Sequence, residues 1–249
     1  SDVCSSDLLM KKWTALLLTL ALALSATSAM AAGKLTVNQE TYVAAEGYSL
    51  KSYIFAEVEN TGDKNIAFND CLLEILNADG DPTDNETIYR MYPEILAPGE
   101  KGYITDYTYP SDASTLDDIA DYSLAVTGKS TKDEAPVRLE AAAEYGMAVS
   151  TWDSETAAVR VTVTNTTEAT LYECNMVFGL YDAEGKLLYA ASNYASNTGL
   201  PAGQSMEMLF PIDEELTTKW EADGVKPATT NAFAFVSTDS GIKTFNAAE

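Results

Sequence analysis

Histidine is absent from the 249 residues of this chain. That removes Ser-His-Asp and Cys-His machinery and every zinc site that needs an imidazole. Cysteine is scarce as well: Cys4, Cys71 and Cys174 are the whole set, too few for a disulfide scaffold over this length. Basic residues are outnumbered, with 15 Lys+Arg against 38 Asp+Glu and a formal net charge of −23. A charge of that sign argues against nucleic acid and anionic membrane surfaces as partners, and it is first of all a solubility device. Beyond the N-terminal segment no apolar run approaches the roughly 20 residues that cross a bilayer, so no membrane insertion is expected once that segment is removed.

The N-terminal segment itself reads as a signal peptide. From Met10, "MKKWTALLLTLALALSATSAMAAG" carries a basic start (Lys11, Lys12), an apolar stretch from Trp13 to Leu24 and an Ala29-Met30-Ala31 cleavage signal. Residues 10–31 are assigned to it, with cleavage near Ala31 and a mature chain from about Ala32. No cysteine stands at the cleavage site to take a lipid, so the expected localisation is secreted, extracellular. Residues 1–9, "SDVCSSDLL", lie upstream of a complete signal peptide and are set aside as a non-native leader, together with Cys4.

The mature chain is built on a repeat. Val58, Asn60 and Thr61 of "FAEVENTGDK" recur as Val163, Asn165 and Thr166 of "RVTVTNTTEA", a constant spacing of 105 residues. "LEILNADG" (73–80) recurs as "FGLYDAEG" (178–185), and "LAPG" (96–99) as "LPAG" (200–203). Self-similarity at one spacing marks a duplicated structural unit. The polar stretch "GKSTKDEAP" (128–136) separates the copies, giving a first unit over 34–128, a linker over 129–136 and a second unit over 137–240. With no apolar run in the linker, the units are expected to pivot.

Within each copy the period is two. Val159, Val161 and Val163 alternate with Arg160, Thr162 and Thr164, and Met176, Phe178 and Leu180 continue the pattern. This is the mark of half-buried strands. Asn77-Ala78-Asp79-Gly80 and Asp182-Ala183-Glu184-Gly185 supply hairpin turns closed by a glycine with positive φ. One short helical candidate stands late in each copy, 114–122 and 213–223, each opened by a capping-type residue. Short strands, regular turns and little helix predict an all-β protein of two tandem immunoglobulin-like antiparallel β-sandwiches.

Phe178-Gly179-Leu180-Tyr181-Asp182 spells F-x-L-Y-D. Preceded by V-x-V-T-N and followed by a turn glycine and L-P-A-G, it resembles the FxLYD domain family of bacterial secreted and envelope proteins, over most of 137–240. In the first copy the pentad is degenerate, Leu73 to Asn77. The resemblance implies an immunoglobulin-like sandwich outside the cell and brings no catalytic residue with it.

Candidate sites are few. Cys71 and Cys174 stand in phase with apolar neighbours and are not equivalent in the repeat, so buried free thiols are expected. In "NADGDPTDNE", Asn77, Asp79, Asp81, Asp84 and Glu86 offer hard oxygen ligands for calcium, but Pro82 sits where an EF-hand loop needs glycine. Asp79, Asp81 and Asp84 are therefore weak metal candidates, and no cofactor is expected. No pair of carboxylates stands out for hydrolysis. The tyrosine-rich "YRMYPEILAPGEKGYITDYTYP" (89–110) offers Tyr89, Tyr92, Tyr107 and Tyr109 as a partner-binding patch, since tyrosine gives large, stiff contact area with a polar tip. The cost of an inward Asp106 favours Tyr103, Thr105 and Tyr107 facing the core of the first unit. The sequence thus reads as a non-enzymatic binding or spacer module for an extracellular protein or glycan, with a calcium-stiffened adhesion module or a carboxylate-site hydrolase as alternatives.

Overall fold

The computed structural model describes residues 34–46, 49–150, 155–237 and 242–243. Residues 1–31, read from the sequence as a leader and a signal peptide, lie outside them. In the first copy the strands are β1 (Leu35–Glu46), β2 (Leu50–Asn60), β3 (Ile66–Leu76), β4 (Pro82–Ile88), β5 (Ile95–Leu96), β6 (Lys101–Thr108) and β7 (Asp121–Ser130). They form one sheet in the order β1-β2-β6 and a second in which β3 is flanked by β4, β5 and β7. The second copy contributes β8 (Val137–Ser150), β9 (Glu155–Thr164), β10 (Thr170–Tyr181), β11 (Leu187–Leu200), β12 (Ser205–Pro211), β13 (Thr229–Val236) and β14 (Ile242–Lys243). Its strands run β11-β10-β13-β8-β9-β12, because β8 pairs with β13 through 137–140 and with β9 through 140–150. Every pairing is antiparallel, and the all-β sandwich class read from the period-two pattern is the class observed.

The repeat is structural down to single hydrogen bonds. Asn60 and Asn165 are both fully buried. The Asn60 amide donates to the carbonyls of Lys64 and Leu96 at 2.8 Å, while its oxygen accepts from Gly62 N at 3.0 Å. Asn165 does the same toward Ala169 O, Leu200 O and Thr167 N. Each asparagine backbone carbonyl also takes the turn glycine of the later block, Gly99 or Gly203, at 2.8 Å. The matching V-x-N-T and L-x-x-G blocks are thus two ends of one staple, which satisfies loop carbonyls that burial would otherwise leave unpaired. Asn165→Ala is expected to destabilise by about 1–2 kcal/mol in urea melts, the deficit of buried acceptors left without donors.

Both turn glycines, Gly80 and Gly185, have φ of 81°, as the turn sequences require. Asn77 and Asp182 each accept two backbone N–H groups across their turns. Phe178 and Leu180 are fully buried, and Leu73 and Ile75 occupy the same positions in the first copy. Of the two helical candidates, 213–223 forms α1 (Glu214–Asp223), which buries Leu216 and Trp220, and 114–122 shrinks to a single 3-10 turn at Leu116–Asp118. Among the described residues no helix is long and apolar enough to cross a membrane.

The expected pivoting gives way to packing between the copies. Ile54, Ala56, Val58, Leu73, Ile75 and Ile104 form a core belonging to the first copy alone. Ala45, Tyr53, Phe55 and Tyr103, also from the first copy, are buried instead with Phe178, Leu180, Tyr181 and Trp220 of the second. The polar linker gave no sign of this, since the apolar surface joining the copies comes from the outer face of the β1-β2-β6 sheet.

Candidate functional site: the repeat junction and its tyrosines

On β2 and β10 residues on both faces are buried, so that the run from Met176 to Tyr181 is buried without a break and the run from Ser52 to Val58 likewise, Glu57 included. One face of each strand serves its own core. The other two faces meet, and between them lies a chain of buried polar groups. Asn231 Nδ2 donates to Tyr103 Oη (3.3 Å), the Tyr103 and Tyr181 hydroxyls lie 2.5 Å apart, and Tyr181 Oη donates to Glu57 Oε2 at 2.6 Å. Lys101 Nζ reaches the other carboxylate oxygen of Glu57 at 2.7 Å, and Asn38 adds a longer bond. With Tyr181 already donating to the carboxylate, the short contact is made by the Tyr103 hydroxyl donating to Tyr181.

Glu57 is 4% exposed and Tyr103 fully buried. Burial pushes the Glu57 carboxyl up, but hydrogen bonds from Lys101, Tyr181 and Asn38 outweigh it and hold the group below its ordinary value of 4.5. Burial raises Tyr103 to about 12 and lifts Tyr181 further, so both phenols stay protonated donors. The Tyr103 ring stacks on Phe233, with centroids 6.0 Å apart, and the Arg138 guanidinium covers the same Phe233 ring at 3.9 Å. Gly179, the variable position of F-x-L-Y-D, is what lets the ring in: a Cβ there would stand 2.9 Å from Tyr103.

Beside this chain the first copy closes the free edge of β11. Gln39 Oε1 accepts from Leu187 N at 2.7 Å, the Thr41 hydroxyl donates to Leu187 O, and Thr105 donates to Ala190 O at 2.8 Å. Unpaired edge groups are thereby satisfied by side chains rather than by another strand. Asp213, expected to cap α1, makes no capping bond; its carboxylate holds Lys51 at 2.6 Å and Tyr53 Oη at 2.8 Å. The register-equivalent face of the second copy replaces Phe55, Glu57, Tyr103 and Thr105 by Arg160, Thr162, Glu207 and Leu209. It is solvated, with Arg160 paired to Glu144 and Leu209 46% exposed, so it offers no seat for a further copy of the same kind.

The tyrosine row takes the opposite parity to the one expected. Ile104 faces the first copy's core beside Ala56, while Tyr103 and Thr105 face the second copy. Asp106 is tolerated on the inward side because it lies near the end of β6, partly exposed, with its carboxylate accepting from Tyr107 N.

The four candidate tyrosines do not form one patch. Tyr107 and Tyr109 are 53% and 57% exposed and meet edge to face at 5.9 Å, with Lys51 Nζ 4.0 Å above the Tyr107 ring. Tyr89 is exposed, but among the described residues no ring packs against it. Tyr92 is half-buried and tied by backbone bonds to Tyr103, four residues from Tyr107 and so about 13 Å along the strand.

In the 77–86 loop, Asn77 is occupied by the turn and Asp84 accepts from Asn85 N and Ser111 N. Among the described residues no three His, Cys, Asp or Glu side chains gather to hold a metal ion. Millimolar calcium is accordingly expected to leave the melting temperature unchanged, and Asp79→Asn with Asp81→Asn to make no difference to that result; a calorimetric scan with and without calcium checks it. Cys71 and Cys174 are free and buried in separate cores, their thiols pushed up by burial to about 12 and about 11.

No family model and no curated protein matches the chain. Among solved structures, the crystal structure of red sea bream transglutaminase aligns at 12% identity with a TM-score of 0.21, over 72% of this chain and 28% of that one.

Proposed function

We propose that the protein is a secreted, non-enzymatic module of a bacterial cell exterior, of the FxLYD kind, which presents the Tyr107–Tyr109 corner to an extracellular protein or glycan. The observation that supports this most is the junction, where the first copy's tyrosines and Glu57 are locked onto the second copy. A surface held at a fixed place on a stiff scaffold binds with less ordering entropy to lose. Tyr107 and Tyr109 are the part of that tyrosine-rich face which the second copy leaves uncovered. The carboxylates best placed for chemistry, Glu57 and Asp213, are engaged in structural hydrogen bonds. Purified protein labelled with a fluorophore is expected to stain intact producing cells in a flow cytometer. Tyr107→Ser with Tyr109→Ser is expected to abolish the staining at an unchanged melting temperature. Equal staining by the double variant would remove the corner from the proposal, and no staining by the unaltered protein would remove the exterior partner.

A further inference from the structure

The Tyr107–Tyr109 corner already holds a cation, and the cation is the protein's own. Lys51 Nζ lies 4.0 Å from the centroid of the Tyr107 ring and 4.5 Å from that of Tyr53. It ends 2.6 Å from Asp213 Oδ2, the oxygen that also accepts from Tyr53 Oη at 2.8 Å. The lysine belongs to the first copy and the aspartate to the second, so the docking of the copies sets where the ammonium stands. The Lys51 side chain is 14% exposed and that of Asp213 47%. Asp213 precedes α1 without capping it, and among the described residues its Oδ1 accepts no hydrogen bond.

These contacts limit what the corner can bind. A cation gains from an aromatic face through the negative charge over the ring. On Tyr107 the Lys51 ammonium already draws on it, so a Lys or Arg arriving at the other face meets a positive charge across the ring. An anion fares no better, because the ammonium is spent on Asp213, whose carboxylate faces water on a protein of net charge −23. A neutral ligand is left. Side chains that anchor a protein interface fill desolvated pockets. Tyr107 and Tyr109 line neither the cleft of about 530 Å³ beside the linker nor that of about 520 Å³ beside α1. They meet instead at 85°, each more than half exposed, as a shallow corner of two phenols with Asp213 close to one of them.

We propose that the ligand of this corner is a neutral sugar ring of a surface glycan, a choice that rests on the reading of the corner as the binding site. The C–H face of the sugar lies on the exposed phenol rings, and two vicinal hydroxyls donate to Asp213 Oδ1, a charge-assisted pairing. Lys51 is a positioning residue, which holds the Tyr107 ring and the Asp213 carboxylate at a fixed separation.

Intact producing cells treated with mild periodate, which cleaves vicinal diols, are stained with the labelled protein beside untreated cells and cells shaved with trypsin. Periodate is expected to lower the staining at least tenfold. Staining that survives periodate and is lost to trypsin would overturn the glycan while leaving the corner as a site for protein. No staining of untreated cells would remove the exterior partner and this ligand with it. Asp213→Asn is expected to weaken staining several-fold, and an unaltered signal would overturn the hydroxyl contact. Lys51→Gln is expected to weaken it several-fold and Lys51→Arg less than twofold, since arginine restores both the ring contact and the ion pair; equal staining by Lys51→Gln would overturn the positioning role. Melting curves confirm that each variant is folded. A labelled oligolysine peptide, followed by fluorescence anisotropy at about 150 mM salt to screen general attraction to an acidic protein, is expected to bind the unaltered protein and Tyr107→Ser with Tyr109→Ser alike. Weaker binding by the double variant would show that the corner takes cations and would overturn the neutral ligand.

Discussion

Phe178→Ala is expected to destabilise the protein by about 3–5 kcal/mol, the usual cost of removing a phenyl ring from a packed core. The ring is fully buried and meets Phe210 edge to face at 5.0 Å and Tyr189 at 5.9 Å. Tyr189 in turn contacts Phe55 of the first copy at 5.0 Å and Trp220 of α1 at 6.3 Å. The cavity therefore opens beside the surface that joins the two copies, and its cost is felt by both. Unfolding followed by tryptophan fluorescence and by far-ultraviolet circular dichroism should give one coincident transition in the unaltered protein, shifted as a whole in the variant. A loss below about 1 kcal/mol would show that Phe178 is not the core residue its position indicates, and two separated transitions would show that the copies unfold independently.

The second large effect is expected at Glu57. Glu57→Ala leaves the Tyr181 hydroxyl and the Lys101 ammonium without their shared acceptor at a buried junction, a loss of about 3 kcal/mol. Acid provides a gentler test with a definite sign. The folded carboxyl lies below its ordinary value of 4.5, so its ionised form stabilises the junction. That contribution is complete above pH 4.5 and fades as pH falls through the lower folded value. Glu57→Gln, which keeps the shape and loses the charge, should be less stable than the unaltered protein at neutral pH, and the gap should narrow progressively below pH 4.5. Other carboxylates protonate over the same range in both proteins, so the difference between the two melting curves isolates Glu57. A gap that stayed constant from neutral pH to about pH 3 would mean that the carboxylate charge contributes nothing at the junction.

The junction also explains why Tyr103 and Thr105 are found in the first copy only. Tyr103 and Thr105 are covered by the second copy, and their counterparts Glu207 and Leu209 face water. The two copies present equivalent faces, and the sequence difference between them follows which one is buried.

Much of the architecture was legible without coordinates. Alternation along β9 and β10, the paired Asn-Thr and turn-glycine blocks, and the acidic hairpin tips each depend on local periodicity or on one residue's backbone freedom, and such signals survive in a sequence. The class of fold, the turn positions and the inward direction of Phe178, Leu180, Leu73 and Ile75 come from them. A further sign was present in the runs "YIFA" (53–56) and "MVFGLY" (176–181), which carry no polar residue to alternate with because both faces of β2 and β10 are covered. The partner of each second face was settled only by tertiary structure. Glu57 and Tyr181 are 124 residues apart in the chain, and nothing local says that a carboxylate on one strand will meet a phenol on another. The parity of β6 was open for the same reason: an aspartate facing inward is costly in mid-strand and cheap at a solvated strand end, and where the strand ends is decided by packing. Periodicity fixes what a strand can bury, while the docking of one repeat on the other decides which of two buryable faces meets its own core and which meets its neighbour.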